Sequence, residues 1–246
     1  MAGHSHWSKI KRSKGANDAK RGKIWSKIAR KIIIAARHGG GDPRENLNLR
    51  YTIDEAKGVN MPKDPSEKAI LKGTGELGGD NFEAVTYEGY GHGGVAIMID
   101  GLTNNRARTA PELRKIFEVS GGNLAVSGAV AFQFVKQGII TIKAEGVDED
   151  RLMELSLEAG ADDVTNEGEV FEVITSPGSF LKVRESLLAA KINIEASEIT
   201  NVPTSTIPVN AETAAKLMKL IDALEDNEDV QTTSHNAEIP ESVQVG

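Results

Sequence analysis

Apolar positions in the first third of the chain recur at helical spacing. Ile24, Ile28, Ile32 and Ala35 fall at steps of four, four and three, which puts them on one helix face. Asn17 or Asp18 can cap the start of that helix, and Gly39, Gly40 and Gly41 end it. Asp42-Pro43-Arg44-Glu45 predicts the next start, with Asp as cap, Pro at the first helical position and Glu reaching back to the cap. The helix that follows carries Leu47, Tyr51 and Ile53 and stops at Gly58. Asp64-Pro65-Ser66-Glu67 repeats the signal, and Gly73 closes a short third helix. Residues 1–16 have no helical stripe; Trp7 and Ile10 stand among cations, which predicts an extended arm. Residues 1–75 are therefore expected to form a helical basic domain with an N-terminal arm.

The period changes at Phe82. Residues 82–90 and 94–101 read as strands joined by the turn Gly91-His92-Gly93-Gly94. Thr109-Ala110-Pro111-Glu112 opens a helix that Gly121-Gly122 ends, and 126–135 return to strand. Residues 138–202 then read strand, helix, strand, strand, helix, strand, the βαββαβ order of ferredoxin-like domains. A strand fragment (205–209), a helix (211–224) and a last strand (230–235) cannot fold alone. The expected fold is α+β: a helical N-terminal domain followed by two ferredoxin-like domains, the second inserted in the first. The expected boundaries are 1–75, 80–136 with 204–236, and 138–202, and the last ten residues read as loose.

Composition changes this picture little, but charge changes it a good deal. With 246 residues the chain has room for two or three compact units. It has no cysteine, which excludes disulfides and thiolate chemistry and fits a reducing, cytoplasmic setting. No apolar run reaches membrane-spanning length, so no membrane partner is expected. The net charge is −7, yet residues 1–72 carry 17 Lys/Arg against 7 Asp/Glu, leaving −17 on the remainder. Within the first 38 residues Asp18 is the only acid. One end of the chain is thus built for polyanions.

Other motifs have duller readings. Gly73-Thr74-Gly75-Glu76-Leu77-Gly78 spells a dinucleotide fingerprint, but it follows a helix and precedes a strand, the reverse of what that fold needs. Ser8 and Lys11 have the spacing of a nucleophile pair without its partner motifs. The histidines lack helical ligand spacing with a carboxylate, so no metal is expected; an Ala2-Gly3-His4 terminus exposed by loss of Met1 would suit square-planar copper or nickel. No catalytic triad or carboxylate pair is assignable, so no enzyme, cofactor or small-molecule substrate is expected. Arg106 and Arg108 lie on a polar segment between strand and helix, where they can grip phosphate or pair with acids. Trp7 and Trp25 can stack on unpaired bases, though Trp25 suits a core as well.

Several stretches together resemble the YebC/PmpR family. They are Met1-Ala2-Gly3-His4-Ser5, Trp7, Ile10 and Lys11, and the run Asp18 to Lys23. Gly40-Gly41-Asp42-Pro43, Asn60 to Asp64, Lys72 to Glu76, Tyr87 to Gly91 and Asn105-Arg106 follow in order. The resemblance spans nearly the whole chain. It implies a three-domain α+β protein labelled a transcriptional regulator, with mitochondrial members that activate translation and bacterial members linked to the ribosome. His6, Pro65 and His92 depart from the family pattern, and only His6 touches the basic arm.

The function expected is a nucleic-acid-binding regulator of gene expression. The resemblance implies DNA-binding transcription control; a ribosome- or RNA-associated translation factor is the alternative. No helix-turn-helix, zinc finger or zipper is apparent. The candidate contacts are Lys9, Lys11, Arg12 and Lys14 on the arm, with Lys20, Arg21, Lys23, Lys27, Arg30, Lys31 and Arg37 on the first helix, and Arg106 and Arg108 beyond. Changing Lys23, Lys27 and Arg30 to Glu is expected to spare the fold, because Ile24, Ile28 and Ile32 carry the buried face.

Overall fold

The computed structural model describes residues 18–78 and 81–240. Three helices come first: α1 (Asp18–Gly39), α2 (Leu47–Gly58) and α3 (Lys63–Thr74). Ile28, Ile32, Ile33 and Ala36 of α1 are buried with Leu49 and Ala56 of α2, Met61, and Ala69 of α3. Ile24, Trp25 and Ala35 pack against this core from its edge, so the apolar stripe runs where its spacing predicts. Trp25 donates its indole N–H to the Val59 carbonyl at 3.2 Å, which commits it to the core.

Both predicted start signals act differently from their spelling. α2 is capped by Asn46, whose side chain accepts from the Leu49 N–H at 3.1 Å while its amide donates to Ala35 and Gly40 carbonyls at 2.8 Å each. One side chain thus closes α1 and opens α2. Asp42 pairs with Arg44 instead, at 2.5 Å. α3 begins at Lys63 after Pro62, with no side-chain cap, and Asp64 lies in its first turn. Gly73 does not end α3; Gly75 does, at φ +88°. Gly73 lies buried inside the helix, where an added Cβ would stand 2.5 Å from the Ile33 carbonyl oxygen of α1.

The next elements are β1 (Glu83–Tyr90), β2 (Ala96–Thr103), α4 (Arg106–Val119) and β3 (Asn123–Leu124). β1 and β2 form an antiparallel hairpin from Glu83↔Thr103 to Tyr90↔Ala96, closed by a 3-10 turn over His92–Gly94. α4 begins three residues before the predicted start, capped by Asn105, so Arg106 and Arg108 belong to its first turn and not to a loop. Of the strand expected over 126–135 only Phe134 and Val135 are extended, where the following strand begins: β3 is two residues long, and turns and a 3-10 segment fill 125–133. The cause is Glu88, 5% exposed on β1, whose carboxylate accepts from the Gly128 and Val130 N–H groups at 2.6 and 2.7 Å.

β4 (Phe134–Lys143), α5 (Glu149–Ala159), β5 (Asp163–Asn166), β6 (Val170–Thr175), α6 (Phe180–Ala189) and β7 (Ile194–Pro203) follow. Their four strands lie in the order β5-β6-β4-β7, with every neighbouring pair antiparallel. Ile140, Ile142, Phe171 and Val173 meet Leu152 of α5 and Val183 and Leu187 of α6 in one core. β8 (Ile207–Pro208) pairs in parallel with β10 (Ala237–Glu238), so part of the expected loose end is a strand. α7 (Ala211–Glu225) and β9 (Val230–His235) complete the chain's elements.

The chain divides into two compact units. One comprises the helical region and the strands to Val130, together with Ala215–Thr233; the other comprises Ala131–Ala214 and residues 234–240. Its stretch Ala131–Ala214 extends past 138–202 at both ends. The sheet of the first unit has the order β3-β1-β2-β9. A second ferredoxin-like sheet was expected there, but that order puts a hairpin strand at an edge, whereas here the hairpin is central. α4 and α7 pack on this sheet: a Cβ on Gly89 would strike Phe117 at 2.5 Å, and one on Gly91 would meet Leu217 at 2.9 Å.

Candidate nucleic-acid interface

Lys9, Lys11, Arg12 and Lys14 lie outside the described residues. Lys20 falls in the first turn of α1, and Arg21 beside it is exposed. The cations further along α1 have partners within their own unit. Lys31 pairs with Glu55 at 2.8 Å, and Arg37 donates to the Phe82 carbonyl at 3.2 Å. Lys23, Lys27 and Arg30 share one flank, and that flank meets Glu225, the last residue of α7, and Asp226, Glu228 and Asp229 beyond it.

The contacts deepen along the helix. Lys23 stands 3.5 Å from Asp226, both about half exposed. Lys27 donates to the Glu225 carbonyl at 2.6 Å. Burial lowers the Lys27 pKa to about 8, although Glu225 and Asp226 oppose the shift. Arg30 bonds the Glu228 carbonyl, the Glu228 carboxylate at 3.0 Å and the Asp229 carboxylate at 3.0 Å. Its guanidinium also sits 5.3 Å from the centroid of the Phe82 ring.

Asp229 is the hub, 2% exposed. Besides Arg30 it accepts from Arg108 at 2.7 Å, from Thr109 at 2.6 Å and from Thr103 at 3.1 Å. Burial pushes its carboxyl pKa up, but the hydrogen bonds from Thr109 and Arg108 and the nearby arginine charges outweigh this and hold it below the ordinary range. Its backbone is pinned too: Leu102 N–H donates to its carbonyl at 2.8 Å, and a Cβ on Gly101 would meet that oxygen at 2.7 Å. Asn227 accepts from the Asp229 N–H at 2.9 Å and donates to Glu112 of α4 at 3.0 Å.

Arg106 and Arg108 settle the two-way expectation toward acids. Arg106 pairs with Glu83 at 2.8 Å and Arg108 with Asp229. Lys23, Lys27 and Arg30, expected as nucleic-acid contacts, each lie against a carboxylate or carbonyl of the segment 225–229. Sequence reasoning passed over the acids at 225–229. Their signal is a run of four carboxylates around Asn227 immediately after an amphipathic helix, complementary to the basic run of α1. Among the described residues no cluster of His, Cys, Asp and Glu could hold a metal ion, and no helix is long and apolar enough to cross a membrane.

Comparison with known proteins gives a consistent picture. The family model described as the TACO1/YebC protein N-terminal domain matches residues 5–76, and that of the TACO1/YebC second and third domain matches 82–237. A "probable transcriptional regulatory protein" of Desulforapulum autotrophicum is 50% identical over 99% of this chain and 98% of its own length. One of the same name from Acidithiobacillus ferrooxidans is 52% identical over 97% of this chain and 95% of its own. The crystal structure of a conserved hypothetical protein from Aquifex aeolicus superposes with a TM-score of 0.81 at 46% identity, covering 91% of this chain and 93% of that one.

Proposed function

This chain belongs to the TACO1/YebC family, and from that premise we propose that it is a nucleic-acid-binding regulator of gene expression that acts in the cytoplasm without catalysis. Relatives named as transcriptional regulatory proteins support the regulatory part. The observation that carries the nucleic-acid part is the concentration of cations at one end of an otherwise acidic chain. Lysine and arginine neutralise phosphates and release their counterions, which gives affinity without base readout. The principal contacts in this reading are Lys9, Lys11, Arg12 and Lys14, with Lys20 and Arg21 where α1 begins. Lys23, Lys27, Arg30, Lys31, Arg37, Arg106 and Arg108 complete the set of contacts in this reading.

Transcription control on DNA is the reading that the relatives' names favour. One observation favours a folded RNA, including the ribosome. α1 buries its apolar face, and the flank carrying Lys23, Lys27 and Arg30 runs against acids, so that helix is poorly suited to entering a major groove. The strand order β5-β6-β4-β7 supports reading the unit that contains these strands as ferredoxin-like. Crosslinking in cells, followed by sequencing of the recovered DNA and RNA, tests the proposal. Enrichment of promoter DNA supports transcription control and enrichment of ribosomal RNA supports translation control. Recovery of neither above background contradicts nucleic-acid binding.

A further inference from the structure

The acids that meet α1 fall into two groups. Asp229 is buried with four side-chain donors around it, and its loss would take the carboxylate from Arg108 and one of two from Arg30. Asp226 and Glu228 are different: their side chains are 51% and 60% exposed. Exposed ion pairs contribute little to stability, about 0–1 kcal/mol, so the fold has small need of these two carboxylates. They nevertheless stand on cations of the one helix that leads out of the basic arm. Lys23 is 43% exposed beside Asp226, and Glu228 lies on the guanidinium of Arg30, whose side chain is itself 12% exposed. The backbone carrying them cannot drift away, because Leu102, Gly101, Arg108, Thr109 and Asn227 hold its end in place.

We propose that Asp226 and Glu228 are built-in competitors of phosphate, an autoinhibitory contact that lowers the affinity of α1 for nucleic acid and confines tight contact to the arm. This rests on the nucleic-acid reading above and specifies how that site is regulated. A carboxylate and a phosphate oxygen make the same charge-assisted bonds to lysine and arginine. A backbone phosphate that reaches Lys23 or Arg30 must therefore displace a carboxylate already fixed within bonding distance. A ligand that arrives with several phosphates in register can do so, and an isolated phosphate cannot. The result is selection for dense or folded polyanions over single short strands.

The test compares full-length wild type with D226N/E228Q and with D150N/E154Q, which removes two exposed charges from α5 in the other unit. Binding is measured as a salt titration on a labelled mixed-sequence single-stranded RNA and on duplex DNA of the same length, with melting temperatures recorded for each protein. D226N/E228Q should bind several-fold tighter than wild type with an unchanged melting temperature. Its plot of log affinity against log salt should steepen by roughly one to two units as Lys23 and Arg30 gain phosphate contacts. D150N/E154Q should move affinity much less, because it leaves Asp226 and Glu228 in place on Lys23 and Arg30. Wild-type binding with D226N/E228Q no tighter and no steeper than D150N/E154Q overturns the competitor role alone. Failure of all three proteins to bind either nucleic acid overturns the nucleic-acid reading, and this inference with it.

Discussion

A carboxylate with 2% exposure survives inside a protein only when its charge and lone pairs are matched, and Asp229 is matched by two arginines and two threonines. Asp229→Ala removes the common partner of Arg30 and Arg108, leaving Arg108 without its carboxylate and Arg30 with Glu228 alone. It should cost about 3 kcal/mol or more in denaturant unfolding. Because the folded pKa of Asp229 lies below its ordinary value of 3.8, its stabilising share is complete above that value and is lost as pH falls through the folded pKa. The stability gap between wild type and Asp229→Asn should accordingly narrow in strong acid. Lys27 has the opposite linkage. Its folded pKa of about 8 lies below the ordinary 10.5, so the folded state disfavours the charged lysine, and stability from this group rises with pH between those values. Lys27→Met should be more stable relative to wild type at pH near 7.5 than near 9.5, a window set by that shift. A gap that is constant across that window would show that Lys27 is not desolvated.

Packing at the level of elements turns on positions where a side chain has no room. Alanine normally favours a helix interior over glycine by about 1 kcal/mol. At Gly73 the sign should reverse, because the new Cβ would lie 2.5 Å from the Ile33 carbonyl and 2.6 Å from the Ala36 Cβ. Gly73→Ala is expected to destabilise the protein by about 1–3 kcal/mol, read from the shift in the unfolding midpoint. The inserted unit gives a second test. Residues 138–202 cut off Phe134 to Gln137, which pair with Pro203 to Thr200. Residues 131–214 should therefore give a better dispersed amide spectrum than 138–202; equal spectra would show that those pairs add nothing.

Most elements were legible, and the misreadings share a cause. The stripe Ile24, Ile28, Ile32 located α1, and the alternations over 138–202 located all six elements there, because local periodicity reflects one-sided burial. The start of α2 was misplaced because Asn46 is fixed by carbonyls at the end of α1, a tertiary arrangement that no local signal encodes. Val126, Val130, Phe132 and Phe134 alternate like a strand, yet Glu88, some forty residues away in sequence, takes the backbone amides a strand would need. The interface shows the same limit. A basic stripe was visible in α1, but its acidic partners lie near residue 226, and only folding brings them together.

At the scale of the whole molecule the account has one organising feature, a cationic end on an acidic body. Its inner cations are already answered by Glu225 to Asp229, so the arm should supply most of the affinity for nucleic acid. Replacing Lys23, Lys27 and Arg30 together with Glu would place like charges against those acids and should lower the melting temperature, which makes it a poor test of binding. The decisive measurement is a salt titration of wild type and K9S/K11S/R12S/K14S on the same RNA and DNA. The variant should bind far more weakly at low salt and keep its melting temperature, and its plot of log affinity against log salt should flatten by roughly three units. A variant that binds both nucleic acids as tightly as wild type, with the same slope, would contradict the claim that the basic arm is how this protein holds nucleic acid.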